Sequence, residues 1–92
     1  MCTMIAEKVA LVGSAKAKDG WFPIDKAYVA YDHPFHYPEE HALTLDFVNE
    51  SMGTAARVAV ELPAPAARLL AERILEALRK AGEQGVIPAE VV

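Results

Sequence analysis

Apolar and polar residues alternate with a period of two over several stretches, and then change to a period near four in the last third of the chain. The alternation is clearest from His41 to Val48, where His41, Leu43, Leu45 and Phe47 interleave with Ala42, Thr44, Asp46 and Val48. This is the signature of a strand with two unlike faces. Ala27 to His33 alternates in the same way, with Ala27, Val29, Tyr31 and His33 on one face. Arg57 to Leu62 reads as a further strand with Val58, Val60 and Leu62 inward. Residues 3–12 read as the first strand, although Glu7 and Lys8 interrupt both of its faces. Asp19-Gly20 marks a turn within an expected loop over 16–23, Pro34 and Pro38 break the chain after the second strand, and Asn49 to Gly53 makes the next turn.

After Pro63 and Pro65, which suit the first turn of a helix, Ala66, Leu69, Leu70, Ile74, Ala77, Leu78 and Ala81 recur at spacings of three and four. Gly82 is the expected stop, with Arg79 and Lys80 well placed in the last turn. The order is therefore ββββα: an α+β domain over 1–83, a four-stranded antiparallel meander with one C-terminal helix packed on one face. Residues 84–92 form a tail, an extra edge strand or a disordered end. The face away from the helix carries Ala30, Asp32, Thr44, Asp46, Arg57 and Ala59, either solvated or an interface with a second subunit.

Composition narrows the function. A chain of 92 residues has room for one core only, and at this size about 60–65% of the unfolded surface is hidden, so a partner subunit or a metal is a common source of extra stability. The net charge of −4 and the scatter of Lys and Arg exclude a basic nucleic-acid surface. No apolar run is long enough to span a bilayer and no signal peptide is legible, so neither membrane nor secretion is expected. The single cysteine forms no internal disulfide and fits a reducing cytoplasm.

The meander brings the start of strand one, the end of strand two, the start of strand three and the end of strand four to one edge. Cys2, His33, His41 and Glu61 then lie together, with His36, Glu39 and Glu40 in the adjoining loop. Thiolate and neutral imidazole are preferred ligands of zinc, and imidazole also serves other transition metals. The first expectation is accordingly a small metal-binding protein, with zinc or another transition metal held by Cys2, His33, His36 and His41. The spacing matches no paired zinc motif, and polar turn histidines beside prolines are the plain alternative. Two further readings stand beside it: a homodimeric interaction module without chemistry, formed through the open sheet face or an edge strand, and a cofactor-free enzyme using Cys2 and a histidine. Trp21-Phe22-Pro23 plugs the open end of the core or forms a binding lip. Tyr28, Tyr31, Phe35 and Tyr37 either wall a small-ligand pocket or fill the sheet edge.

Met1-Cys2-Thr3, Glu7-Lys8, Gly13-Ser14, Gly20-Trp21-Phe22, Asp32-His33-Pro34, His36, Glu40-His41 and Asp46-Phe47 together resemble a family of short bacterial proteins, an uncharacterised domain of unknown function. The resemblance runs to about the end of the helix and implies no activity, cofactor or site residue.

Overall fold

A computed structural model describes residues 5–91. Four strands, β1 (Ile5–Ala17), β2 (Gly20–Asp32), β3 (Ala42–Val48) and β4 (Arg57–Leu62), pair antiparallel in chain order, and one helix, α1 (Ala64–Glu83), follows. Two short 3-10 turns lie at Glu50–Met52 and Ala89–Val91. This is the expected α+β meander with a C-terminal helix. No helix among the described residues is long and apolar enough to cross a membrane.

The first hairpin is longer than the alternation suggests. Where a loop is expected over 16–23, β1 and β2 run on to a tight turn at Lys18-Asp19, and Gly20 supplies a φ of 123° that L side chains rarely adopt. The reason lies in β1. Between the Ala10–Lys26 and Gly13–Ile24 pairs, Leu11 and Val12 stand opposite the single Asp25. This bulge shifts the side-chain parity, so a reading that demands one unbroken alternation stops there. Beyond it Ala15 pairs with Phe22 and Ser14 with Pro23. Pro23 is tolerated because β3 pairs with β2 only from Lys26 to Asp32, leaving that edge of Pro23 without a ladder partner. Its carbonyl instead accepts a 2.9 Å hydrogen bond from Asn49 Nδ2.

Register sorts the sheet into two faces. Ile5–Tyr31–Leu43–Leu62 and Val9–Ala27–Phe47–Val58 are rows of one face, with Val29, Leu45 and Val60 between them. The other face carries Lys26, Tyr28, Ala30, Thr44, Asp46, Arg57, Ala59 and Glu61. The apolar face is poorly covered. Among the described residues the buried apolar ones are Phe22, Ala27, Ala42 and Ala56, three of them alanines, and no large side chain is fully buried. Ile5 and Val9 stay about half exposed. α1 touches β3 but buries none of its own residues, and Ile74, in the middle of its apolar stripe, is 53% exposed. The radius of gyration of 15.1 Å exceeds the roughly 12 Å of a compact chain this long.

Helix ends and turns are well closed. α1 runs past Gly82 to Glu83, and Gly85, at φ 73°, is the residue that ends it. Val86 N–H donates to the Ala81 carbonyl and Gly85 N–H to the Gly82 carbonyl, a Schellman closure with Gly85 in the left-handed position. Gly82 is thus an ordinary last-turn residue, and the tail folds back as the 3-10 turn beside the helix end rather than as a strand. Of Trp21 and Phe22, Phe22 is buried beside Ala56 and Trp21 is 69% exposed, so only the second plugs the core.

Asn49 joins the two ends of this core. It is buried, its Oδ1 accepts from the N–H and the hydroxyl of Ser51, and its backbone N–H donates to the Ala56 carbonyl. Asn49→Ala strands the Pro23 carbonyl and uncaps the turn, so urea denaturation should show a loss of about 1–3 kcal/mol. A loss below about 0.5 kcal/mol, the level of an ordinary surface substitution, would show that this residue ties nothing together.

Candidate functional site

Between β2 and β3 the chain makes a loop over residues 33–41, and β4 holds it. Glu61, on the polar face, presents both carboxylate oxygens to three successive backbone N–H groups: Phe35 at 2.6 Å, His36 at 3.0 Å and Tyr37 at 2.7 Å. The donors from Tyr37 and Phe35 hold this carboxyl below its ordinary value, because each bond favours the ionised form. Two prolines, Pro34 and Pro38, bracket the segment. The loop is therefore pinned by one side chain from a strand 24 residues further on.

Of the expected metal ligands, His33 and His41 come together, His36 does not join them, and Cys2 lies outside the described residues. The His33 and His41 rings stack with centroids 4.8 Å apart and planes 27° from parallel, and Tyr31 continues the stack on His41 at 6.1 Å. His33 Nδ1 lies 2.9 Å from the Glu40 carbonyl, to which it donates, and His33 Nε2 is 3.9 Å from Asp32 Oδ1. His41 Nε2 is buried with no hydrogen-bond partner among the described residues.

This corrects the metal assignment. No group of three or more His, Cys, Asp or Glu that could hold a metal ion exists among the described residues. Lone pairs of imidazole lie in the ring plane, so two nearly parallel stacked rings send them in parallel instead of onto one point. His33 Nδ1 is already spent on a carbonyl, and the Glu61 carboxylate on three N–H groups. His36 meets that carboxylate through its backbone N–H, and the residue lines a surface hollow with Phe35 and Tyr37. The topology gathered these residues at one edge as expected, but their side chains pack as a stack and a clamp.

The opposite end of the polar face carries a second turn, 49–56, held in a similar way. Glu50 accepts from Lys26 Nζ and, at 3.1 Å, from the Tyr28 hydroxyl, both on β2. These donors lower the Glu50 carboxyl below its ordinary value, the lysine first. Between the two turns Arg57 Nε and Nη2 reach Asp46 Oδ1 at 2.8 and 2.6 Å. The two residues are diagonal neighbours across β3 and β4, within reach of long side chains. Residues 1–87 match the sequence pattern of a family of unknown function, DUF6295. The chain belongs to that family. No curated protein and no solved structure matches it.

In this DUF6295 chain the polar face is thus bounded by two loops, each tied down by a carboxylate. One surface hollow of about 330 Å³ lies against the 49–56 turn, with Tyr28, Val48, Glu50 and Ala56 in its lining. A second, of about 450 Å³, lies against the 33–41 loop, with Phe35, His36, Tyr37, Ala59 and Glu61. Arg57 lines both. Alternation alone puts Asp46, Arg57 and Ala59 on this face, yet nothing in the sequence signals the carboxylate clamps, since each joins a strand residue to a distant segment.

Glu61→Gln removes the charge that gathers the three N–H groups, and hydrogen exchange at Phe35, His36 and Tyr37 should accelerate at least tenfold while β3 keeps its protection. Because the folded carboxyl is lowered, the clamp contributes fully above the ordinary glutamate range and is lost as pH falls through the lower, folded value. The amide shifts of Phe35 and Tyr37 should therefore titrate with a midpoint below 4.5, the ordinary value. A midpoint at or above it would show that the clamp does not hold in solution.

Proposed function

We propose that this chain acts as a homodimeric interaction module in which a second copy covers the apolar sheet face and the helix stripe. One observation carries the reading. The single chain exposes 6965 Å² of accessible surface, whereas a folded monomer of 10.0 kDa exposes about 5,200 Å². The excess of about 1,700 Å² per chain, doubled over two copies, falls in the range of about 2,000–5,000 Å² buried by obligate homodimers.

The character of the excess fits. Ile5, Val9 and Val60 on the sheet, and Leu69, Leu70, Ile74 and Leu75 on α1, are all more than a third exposed. A patch of this kind on a small domain marks a surface meant for protein. The edges suit association less well. Along the β1 edge the bulge leaves Val12 fully exposed, and Lys8 and Lys16 add charge; β4 is only six residues long. Bulges, lysines and short strands are the devices that discourage edge-to-edge pairing. The reading therefore moves self-association from the polar face or an edge to the apolar face. A reducing cytoplasm is the compartment that suits its single thiol.

Light scattering on the whole chain at micromolar concentration should give twice the 10.0 kDa chain mass, and Tm should rise with concentration. Ile74→Glu provides the sharper contrast. In a lone chain this exposed position tolerates substitution within about 0.5 kcal/mol. In the dimer it places a charge in an apolar contact, so the mass should fall to that of one chain or Tm should drop by several degrees. A monomeric mass with a concentration-independent Tm, unchanged by Ile74→Glu, overturns the reading.

A further inference from the structure

Pairing of the apolar faces leaves the polar face open, and there the charges are unevenly used. Both oxygens of Glu61 accept from backbone N–H groups, whereas Glu50 and Asp46 are each engaged through one oxygen, Oε1 by Lys26 and Tyr28 and Oδ1 by Arg57. The two carboxylates that line the hollows, Glu50 and Glu61, are thus both engaged. The donors are not. Arg57 spends Nε and Nη2 on one oxygen of Asp46, and its Nη1 has no partner among the described residues. The His36 side chain makes no hydrogen bond among the described residues, and it is close enough to Glu61 to lower that carboxyl further. Arg57 Nη1 is thus a free cationic donor, and Arg57 lines both hollows.

The apolar part of the same place is also built. Phe35 is 93% exposed, yet the backbone on which it stands is held by the Glu61 clamp. An exposed phenyl on a fixed backbone offers a stacking surface at little further ordering cost, since the loop is already immobilised. Ala59, whose side chain is only a methyl group, lines the same hollow as Phe35 and Arg57 and takes up little of its space. A hollow of about 450 Å³ falls within the range of about 300–1,000 Å³ that small-molecule sites occupy.

We propose that this face binds a small aromatic carboxylate, its carboxylate on the outer nitrogens of Arg57 and its ring against Phe35 above Ala59. Asp46 Oδ1 takes the Nε–Nη2 edge of the guanidinium, and the Nη1–Nη2 edge is the one left to take a ligand carboxylate. The site lies wholly on one chain and on the face opposite the proposed dimer contact, so it does not depend on self-association.

The test is a ¹⁵N-¹H titration of the whole chain with 2-naphthoate, with 2-naphthamide as the uncharged match. Naphthoate should give saturable shifts clustered at Phe35, His36, Arg57 and Ala59, and naphthamide should bind at least tenfold more weakly. Arg57→Gln keeps a side chain of similar length without the charge, and should weaken naphthoate about tenfold or more, the loss expected of a charge-assisted contact. Phe35→Ala should weaken both compounds alike. Unperturbed β1 and α1 shifts in each variant show that the fold is kept, and a light-scattering mass on the same samples separates this outcome from any failure to dimerise. Equal binding of acid and amide, naphthoate affinity unchanged in Arg57→Gln, shifts centred on the apolar face, or no saturation overturns the proposal.

Discussion

A single sheet has two faces, and among the described residues one helix of 20 residues is the only other layer. That shortage of covering material governs the rest of the structure. Rows such as Ile5–Tyr31–Leu43–Leu62 need an apolar layer over them, and α1 reaches only β3 while its own stripe stays in the open. The hydrogen-bonded ladder sets the architecture, but it contributes little net stability, because the unfolded chain makes the same bonds to water. Apolar burial is what stabilises a domain, and among the described residues the buried apolar ones are one phenylalanine and three alanines. The proposed second copy would resolve the mismatch by doubling the covering layer without lengthening the chain.

The polar face follows a different logic. Its order comes from carboxylates that reach from one element to a remote segment: Glu61 to the 33–41 loop, Glu50 to β2, Asp46 to Arg57. Such pairs are partly exposed and add modestly to global stability. Their effect is local. They decide which loops stand still, and with them where Phe35, His36 and Tyr37 are displayed. Glu50 and Asp46 are paired with Lys26 and Arg57, while Glu61 stays ionised among neutral N–H groups, so the face keeps charges of both signs.

The histidines show how far residue chemistry can be read without coordinates. Antiparallel order does bring His33 and His41 to one edge, as the meander implied. Ligation demands more than proximity, however: nitrogen lone pairs must converge within about 2 Å of a shared point. Ring orientation depends on the Glu40 carbonyl that accepts from His33 Nδ1 and on Tyr31, which extends the stack. Neither partner is visible as a pattern, and Glu61 was legible only as a neighbour of the loop, not as its clamp.

What the sequence determined by itself is whatever rests on local periodicity and on turn chemistry. Four strands in antiparallel order, the span Arg57–Leu62, the turn ahead of Gly20, a helix after Pro63 and membership of one family are all written in short stretches of residues. Only the tertiary structure decided the remainder. The bulge at Leu11 and Val12 carried the first hairpin past its expected end, because one inserted residue reverses every later side chain. Gly85 rather than Gly82 closed the helix, since both are glycines and only the backbone shows which one takes the left-handed turn. The exposed helix stripe, the stacked imidazoles and the carboxylate clamps depend on contacts between residues far apart in the chain. Such contacts leave no period behind them, so they become visible only when the chain is folded.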